Sequence, residues 1–452
     1  MNLFIFIPLL IAFQVIDWYI GKRASKEVQG REDYFLAKRN IPFFPLMLSF
    51  VAAQVGGGLI LGAADAAFEY GWSVLLYPLG ASLGLICLGL GLGRRLASFQ
   101  VSTISQILEV VYRSSALKKL CSILSSVSLF MVLVAQFIAS HKFLIAIGLS
   151  NSIFFLALWG FIILYTMRGG LRSVISTQVF QVGIFFAALL TALSFVLFGP
   201  ASLSISAALS TSVISSSKLA GWLVMPLLYI LVEQGMGQRC FAGRSPKTVS
   251  KAAFWAGICT MIISSIPVAL GIMAKKLGLV IPNGASILII AVSYLTNPWV
   301  AAFVGCAILA AIISTATALI NAISTNISED FELFRKKKDL LSTRIFALAI
   351  PLMGLLLSLC FNDVIGVLIQ SYALFVSTLF APIFIALFKE KGNLSSALLS
   401  IGSGAFGLVL FHFIPLPFPA EIASVLLSFG GYGLGELIFR FRTRKKKLFS
   451  LD

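Results

Sequence analysis

The dominant pattern in the sequence is a series of apolar runs, each close to the ~20 residues that an α-helix needs to cross a bilayer. Short polar or basic segments separate the runs, and no polar stretch is long enough to form a separate soluble domain. The pattern predicts an all-α polytopic membrane protein. Its thirteen candidate transmembrane helices cover residues 2–20, 41–68, 72–93, 120–148, 151–167, 173–200, 219–238, 252–274, 299–328, 345–361, 364–388, 394–412 and 418–439.

The basic residues between the runs predict how the helices are oriented. With the N-terminus outside, 30 of the 34 Lys and Arg residues fall in cytoplasmic segments, and only Lys218, Lys275 and Lys276 fall in outer ones. Cytoplasmic loops carry such an excess of basic residues. We therefore expect a multi-pass protein of the plasma membrane (the cytoplasmic membrane of a bacterium), with its C-terminus in the cytoplasm. The first basic residue, Lys22, follows the first run, so this run is expected to be a retained helix rather than a signal peptide.

Composition supports the membrane assignment and narrows the function. Hydrophobic residues make up 59% of the chain and charged residues 11%, against about 25% charged residues in soluble domains. The net charge of +17 lies in the loops, so it is expected to set topology rather than to bind nucleic acid. A polytopic enzyme would need clustered catalytic groups, which we do not find, and a sensor would need more than the ~13-residue tail.

Two of the predicted helices carry features that favour an interruption. The second run contains Gly56, Gly57 and Gly58 near its middle, and each glycine costs about 1 kcal/mol relative to alanine in a helix. The seventh run ends in VEQGMGQR, where Gly235 and Gly237 stand beside Glu233 and Gln234. Close helix packing is the alternative reason for such glycines. The two runs are five apart, as expected if two inverted repeats each open with an interrupted helix that lines a binding site.

Polar residues inside the apolar runs give the candidate chemistry. Ser314 and Thr315 lie in the middle of the ninth run; they either bond carbonyls of their own helix or, facing unwound carbonyls, supply neutral oxygens to a dehydrated Na⁺. Glu233 lies in the second suspected interruption, and Asp65 lies near the outer end of the second run. Intramembrane ionisable residues are functional candidates by default, so either acid could instead couple transport to H⁺.

Three other charged residues in the runs have structural interpretations. Lys142 is expected to extend along its helix towards the outer surface. Asp17 and Glu436 lie towards the cytoplasmic ends of their runs, where we expect them to pair with nearby basic groups.

Four stretches resemble the sodium:solute symporter family. They are DYFLAKRNIPFFPLMLSFVAAQVGGGLILGAADAAFEYG, YTMRGGLRSVISTQVFQ, QRCFAGRSPKTVSKA and LAAIISTATALINAISTNISEDF. The resemblance implies a leucine-transporter-type fold of two inverted five-helix repeats. It divides the chain into an extra helix and loop (1–40), the two repeats (41–200 and 201–390), and two final helices with a basic tail (391–452).

The resemblance also implies a Na⁺ site. Its ligands would be the carbonyls of Ala52, Val55 and Ala311 and the hydroxyls of Ser314 and Thr315. Many members have an acid in the TDxxQ segment that contributes to a second Na⁺ site, whereas this chain has Gln178 there. One of the following hydroxyls is also missing, since Thr317 precedes Ala318. We therefore expect one coupling Na⁺, with Gln178, Thr317 and Asp65 in gating or coupling roles.

The solute site implied by the resemblance lies between the two interruptions. Its candidate residues are Gln54, Gly56, Gly57, Gly58, Glu233, Gln234 and Gly235. The first core helix is most similar to that of the choline-transporter-like branch. However, Gln54 and Glu233 stand where two aromatic cage residues would stand, and a quaternary ammonium needs such a cage. Gln54 also replaces an acid of the proline-transporter branch.

These observations predict a Na⁺-coupled symporter that imports a small polar solute, cationic or zwitterionic, by alternating access. An H⁺-coupled symporter of the same fold, using Glu233 or Asp65, is the nearest alternative. A membrane enzyme or a sensor is the alternative of another class. We expect the lipid bilayer and the solute to be the partners, with no nucleic acid and no protein partner, and the protein to be a monomer.

Overall fold

The computed structural model is a helical bundle. It describes residues 1–26, 28, 30–149, 151–166, 170–198, 214–331, 341–414, 416 and 418–448. The predicted repeat boundary at residue 200 and the basic residues Arg168 and 335–338 lie outside this set. The helices are α1 (Leu3–Lys26), α2 (Arg31–Leu36), α3 (Phe43–Gln54), α4 (Ala63–Tyr70), α5 (Leu76–Cys87), α6 (Gly93–Ser98), α7 (Ile104–Tyr112), α8 (Ser115–Ala146), α9 (Ser152–Thr166), α10 (Gly170–Phe198), α11 (Ser216–Val232), α12 (Gln234–Ala242), α13 (Pro246–Lys276), α14 (Ile287–Leu295), α15 (Pro298–Asp330), α16 (Leu341–Leu357), α17 (Val364–Phe375), α18 (Ala381–Ala386), α19 (Leu394–Phe413) and α20 (Ala420–Leu448).

Several of these helices begin where the sequence supplies a capping side chain. Ser245 and Asn297 accept hydrogen bonds from the backbone N–H groups of Thr248 and Val300, and a proline occupies the first turn of both α13 and α15. Ser, Asn and Thr at this position satisfy N–H groups that the helix itself cannot, and proline fits the first turn because it lacks an N–H. The starts of both long helices are thus fixed locally.

Nine helical segments within the described ranges are long and apolar enough to cross a membrane, and the bent pair α11–α12 makes a tenth. Three shorter apolar helices include α3 and most of α9. The predicted second and third spans are joined in one helical stretch, Gly58–Ser98. Gly71 interrupts its helical geometry with a φ of 66°, a value that glycine adopts readily because it has no Cβ. The predicted total of thirteen spans stays a prediction.

The centre of the bundle is α15, most of whose residues are buried. Its sequence is rich in Ala, Ser and Thr, and α1, α3, α8, α10 and α16 all pack against it. Small residues at membrane helix interfaces allow backbones to approach closely. Almost every side chain of α15 therefore faces another helix, and a polar side chain on it meets protein rather than lipid.

The charged residues near the cytoplasmic ends behave differently from one another. Glu436 lies 3.3 Å from the Lys389 ammonium and 3.8 Å from Arg440, which confirms the expected pairing. For Asp17 the expectation was wrong. Its carboxylate accepts a hydrogen bond from the Gln181 amide at 2.7 Å, because α10 rather than a basic loop lies beside it.

Gly271 lies where α13 packs tightly on α4. A Cβ at Gly271 would lie 2.2 Å from the Ala64 carbonyl oxygen, and nothing lies within 4 Å of a Cβ at Gly183 on α10. We expect Gly271→Ala to lower the stability by about 1–3 kcal/mol, the range for overpacked sites. Gly183→Ala should be neutral or stabilising by up to about 1 kcal/mol, because alanine favours the helix. Thermal unfolding in detergent measures both; equal unfolding temperatures for the two variants would contradict this packing.

Candidate functional site

The first interruption in the helices lies directly after α3. This helix ends at Gln54, and Val55 has a ψ of 75°, outside the helical range. The Gly56 N–H bonds the Gln54 carbonyl at 2.9 Å, and a helical path resumes from Gly57 through a π-turn at Gly58–Gly62. The predicted interruption of the second span is therefore confirmed.

The three glycines in this interruption are also required by packing. A Cβ would lie 2.5 Å from Thr315 Oγ1 at Gly56, 2.4 Å from the Ala139 Cβ at Gly57, and 2.3 Å from Leu368 Cδ1 at Gly58. Each distance is too short for a real contact. Unwinding and close packing, which the sequence presented as alternatives, therefore operate together here.

The carbonyls exposed by the end of α3 meet the paired hydroxyls of α15. Thr315 Oγ1 lies 2.8 Å from the Ala52 carbonyl oxygen and 3.3 Å from that of Ala311. Ser314 Oγ lies 2.7 Å from the Ala311 oxygen and 3.4 Å from the Ala52 oxygen. The structure thus brings together four of the five residues predicted to bind Na⁺. The fifth, Val55, is buried and immediately follows α3.

A polar chain from α10 and α12 adjoins this cluster. Gln178 Nε2 donates to the Ser314 carbonyl at 3.2 Å, and Gln178 Oε1 accepts from Ser49 Oγ at 2.7 Å. The buried Arg239 donates through Nε to Ser49 Oγ at 2.9 Å. Thr317 Oγ1 donates to the same Ser314 carbonyl at 3.0 Å. A neutral amide, with a guanidinium behind it, therefore occupies the neighbourhood in which the resemblance suggested an acid.

The second interruption lies at Glu233 rather than at the glycines after it. The axes of α11 and α12 differ by 43°, and Glu233 has an extended backbone. Its carboxylate accepts the N–H groups of Gly235 at 2.6 Å and Met236 at 2.8 Å, and so caps α12. The predicted interruption of the seventh run, with Glu233 in it, is therefore confirmed, whereas Gly235 and Gly237 lie inside α12.

Gln234, a predicted solute-site residue, has structural partners instead. Its Oε1 accepts from the Ile104 N–H at 2.8 Å, and its Nε2 donates to the Ser102 carbonyl at 3.3 Å. These bonds attach α12 to the start of α7. The side chain therefore points to α7, and it does not line the cavity between the two interruptions.

A cavity of about 40 Å³ lies between the two interruptions. Its lining includes the predicted residues Gln54, Gly58 and Glu233, together with Thr315 from the hydroxyl cluster. A water needs roughly 10–15 Å³ of such volume, so this conformation has room for only a few waters. An organic solute would require the surrounding helices to separate.

Three tyrosines and a glutamine also line this cavity, and no pattern in the sequence predicts them as site residues. Tyr229 stacks on Tyr372 with ring centroids 4.3 Å apart, and Tyr77 faces the same space. Gln136 Oε1 accepts the Gly57 N–H at 2.7 Å. In the sequence, the only signal was a polar group within an apolar run, which does not distinguish these residues from others in the same runs.

A second cavity of about 510 Å³ lies at the end of the bundle where α4 ends and α11 and α17 begin. Asp65 and Lys142 line it and form an ion pair, and the other Asp65 oxygen accepts the Ile287 N–H at 3.0 Å. Lys142 therefore reaches the vestibule, and the sequence did not predict its pairing with Asp65. Glu69, Asp363 and Glu421 also line this vestibule, which gives it more acidic than basic groups.

Polar contacts join the helices at the opposite end of the bundle. The buried Asp330 carboxylate, at the end of α15, accepts from Thr103 Oγ1 at 2.6 Å and from Ser105 Oγ at 2.7 Å. Gln238 Nε2 donates to the Phe35 carbonyl at 2.7 Å and to Thr325 Oγ1 at 3.0 Å. In this conformation a wide vestibule opens at one end of the bundle, and buried polar contacts join the described helices at the other.

Comparison with known proteins gives the family. The chain matches the sodium:solute symporter family over residues 34–404. It belongs to this family. The protein is therefore a membrane transporter and not an enzyme. A relative, the osmoregulated proline transporter OpuE of Bacillus subtilis (strain 168), is 27% identical over 431 residues, which cover 89% of this chain and 86% of the relative.

Solved structures show the same fold at lower identity. A substrate-bound, outward-open Na⁺-coupled sialic acid symporter superposes with a TM-score of 0.74 at 16% identity, covering 96% of this chain and 98% of the other. Mhp1, a nucleobase-cation-symport-1 family transporter in a closed conformation, gives 0.60 at 16% identity, with coverages of 90% and 95%. MhsT in complex with L-phenylalanine gives 0.57 at 13%, with 87% and 98%. These neighbours have the leucine-transporter fold.

The Gln136 side chain stabilises the first interruption by accepting the Gly57 N–H. Gln136→Leu would leave the buried Gly57 N–H without its acceptor, which costs about 1–3 kcal/mol. We expect a lower unfolding temperature in detergent. The control is Gln370→Leu, at an exposed position of the vestibule, and it should unfold close to wild type. A Gln136→Leu protein as stable as this control would show that another group satisfies Gly57.

Proposed function

We propose that the protein is a Na⁺-coupled symporter that imports a small polar organic solute across the plasma membrane by alternating access. One observation carries the proposal. The hydroxyl oxygens of Ser314 and Thr315 each lie within 3.4 Å of both the Ala52 and the Ala311 carbonyl oxygens. Unwound carbonyls and hydroxyls are the oxygens that Na⁺ sites in such transporters use. Val55 contributes the fifth ligand through its carbonyl.

The same proposal includes the architecture that the resemblance implied. Thirteen spans would form two inverted five-helix repeats, over 41–200 and 201–390, with the N-terminus outside and the C-terminus in the cytoplasm. Two observations support it: the interrupted pairs α3–α4 and α11–α12 would each open one repeat, and the solved neighbours have the leucine-transporter fold. The vestibule would then face outwards. We propose that the protein works as a monomer.

One Na⁺ is proposed as the coupling ion in this site. Near Ser314, the polar neighbours on α10 and α12 are the Gln178 amide and, through Ser49, the Arg239 guanidinium. A carboxylate at the Gln178 position would favour a second cation by about 1 kcal/mol or more through charge alone. A neutral amide lacks this attraction, and a nearby guanidinium opposes it.

The solute class proposed is a zwitterionic amino acid or a close analogue. The Tyr229, Tyr372 and Tyr77 rings and the Glu233 carboxylate line one cavity, and aromatic faces and a carboxylate both attract an ammonium group. The helix that resumes at Gly57 presents its N-terminal end to the same region, where an anionic group is favoured. That the relative OpuE is named a proline transporter makes L-proline the first solute to test.

The ion site is tested by comparing hydroxyls on the same helix. Thr315→Val and Ser314→Ala each remove one proposed ligand, and losing about 1.4 kcal/mol weakens binding tenfold. We expect the Na⁺ concentration for half-maximal uptake of L-proline or another identified solute to rise about tenfold or more. The readouts are uptake into proteoliposomes and thermal stabilisation by NaCl relative to KCl.

Ser324→Ala is the matched control for these variants. Its hydroxyl also lies on α15, but it bonds only the Ile320 carbonyl of its own helix, at 2.7 Å. It should keep the wild-type Na⁺ dependence. Unchanged Na⁺ dependence in Thr315→Val would rule out the assigned site, and uptake that follows pH alone would favour H⁺ coupling instead.

The solute cavity is tested at Tyr229. Its buried hydroxyl has no hydrogen-bond partner among the described residues, so Tyr229→Phe should leave the unfolding temperature unchanged or slightly raised. If the hydroxyl contacts solute, the apparent affinity should fall by about threefold to tenfold, as for one lost hydrogen bond of ~0.5–1.5 kcal/mol. Solute titrations with purified protein measure this effect. An unchanged affinity would place the solute away from Tyr229.

A further inference from the structure

A polar cluster lies between α1 and α10, apart from the ion and solute sites. It consists of Gln14 and Asp17 on α1 and Gln181 on α10, which are 8%, 1% and 2% exposed. The Gln181 Nε2 donates to Asp17 Oδ2 at 2.7 Å. Gln14 and Asp17 are three residues apart on one helix, so their side chains share a face. The Asp17 carboxylate and the Gln181 amide therefore meet inside the membrane-spanning part of the bundle, and Gln14 lies one turn away along α1.

Three oxygens of this cluster lack a donor. Gln14 Oε1, Asp17 Oδ1 and Gln181 Oε1 are all buried and have no hydrogen-bond partner in the described part of the chain. Buried polar atoms are satisfied in the great majority of cases, and an ionised carboxylate is especially costly to bury without a positive charge. Two unpartnered oxygens at the Asp17–Gln181 contact, with a third one turn along α1, indicate a missing proton or cation.

The charged groups on the helices around Asp17 do not supply that positive charge. On α1, Lys22 lies over the Trp18 ring at 4.5 Å, and Arg23 and Lys26 are in the last turn. On α10, Arg172 lies 3.9 Å from Asp33. The charged residues of α15, Glu329 and Asp330, lie at its C-terminal end. The Cys306 thiol of the same helix bonds the Phe6 carbonyl. The helix α9 has no charged residue. No ion pair to Asp17 exists among the described residues.

The number of oxygens decides between a proton and a metal ion. The proposed Na⁺ site offers five oxygens, whereas this cluster offers three unpartnered ones. A proton on Asp17 Oδ1 needs a single acceptor and removes the charge at the same time. The Gln181 amide, which already donates to Asp17 Oδ2, carries such an unpartnered oxygen. We propose that Asp17 is a proton-binding site of this transporter, with Gln14 and Gln181 as the residues that position its proton.

The cluster is linked to the ion site through one face of α10. Gln181 is three residues from Gln178, and Gln178 Nε2 donates to the carbonyl of Ser314 at 3.2 Å. Releasing the proton would place an unpaired carboxylate at the α1–α10 interface and would disturb this face. Na⁺ binding should therefore weaken as Asp17 loses its proton. This last step rests on the proposed function, but the proton site does not.

The direct experiment is infrared spectroscopy of the full-length protein in nanodiscs. A protonated carboxyl group gives a C=O stretching band that shifts in D₂O, and we expect Asp17→Asn to lose one such band near neutral pH. Gln14→Leu removes an acceptor and should shift the band without abolishing it. Glu109→Gln, which alters a partly exposed acid on α7 paired with Lys118, is the control and should leave the band intact.

The second readout is the pH dependence of thermal unfolding. The folded protein holds a proton that the unfolded chain releases, so its stability falls as pH rises through the physiological range. Asp17→Asn cannot release a proton there, so its unfolding temperature should fall less with pH than that of wild type. The Na⁺ concentration for half-maximal stabilisation should likewise become less pH-dependent in this variant.

Each of the remaining outcomes overturns a defined part of the proposal. An infrared spectrum unchanged by Asp17→Asn would show that the carboxylate holds no proton. Loss of a second Na⁺-binding event in isothermal titration of Asp17→Asn would identify the missing cation as Na⁺. If Na⁺ does not bind wild type at all but the infrared band depends on Asp17, the proton site stands and the proposed Na⁺ coupling fails.

Discussion

Backbone N–H and C=O groups inside a bilayer have no water to bond, so a helix can be interrupted only where protein groups replace its lost hydrogen bonds. The interruption after α3 depends on this constraint. Gln136 of α8 accepts the Gly57 N–H, and Ser314 and Thr315 of α15 meet the freed Ala52 carbonyl. The groups that stabilise the interruption therefore also form the candidate ion site. The second interruption is stabilised differently, by the Glu233 carboxylate that caps α12.

Close packing of small residues makes these polar contacts possible. The glycines of the first interruption leave no space for a side chain against α8, α15 and α17, and α15 itself carries mainly small residues. Since lipid provides little hydrophobic drive between membrane helices, their association depends on such packing and on interhelical hydrogen bonds. The final pair of helices uses the same device, with Ser400 Oγ bonding the Ser428 carbonyl at 2.9 Å.

Charged groups within the bundle fall into distinct environments. Asp65 and Lys142 pair beside a vestibule, where water lowers the cost of their charges. Arg239 is buried but donates to Ser49 and to the Gly235 carbonyl, as a planar guanidinium with several donors can. Among the described residues Asp17 has one amide donor and no cation. A buried charge without partners is costly. Asp65, Lys142 and Arg239 therefore have partners for their charges, whereas we propose that Asp17 binds a proton.

The sequence by itself determined the class of the protein and much of its first interruption. Apolar runs near 20 residues predict the helices because the bilayer sets their length. Consecutive glycines predict a weak point because glycine disfavours a helix interior. Ser314 and Thr315 were identified because two hydroxyls in the middle of an apolar run need polar partners. The expected oxygen partners of these hydroxyls came from the family resemblance, and the structure places four of the five residues together.

Only the tertiary structure decided how the remaining polar side chains are used. Gly235 and Gly237 look like Gly56–Gly58 in the sequence, yet they lie inside α12, because the preceding Glu233 already caps that helix and Gly237 packs against Ile104. Tyr77, Tyr229 and Tyr372 come from three helices far apart in the chain, so their common cavity has no local signature. The partner of Lys142 is Asp65 on α4, and the partner of Asp17 is Gln181 on α10. Local patterns report helix formation, whereas a side chain's partner depends on which helices lie beside it.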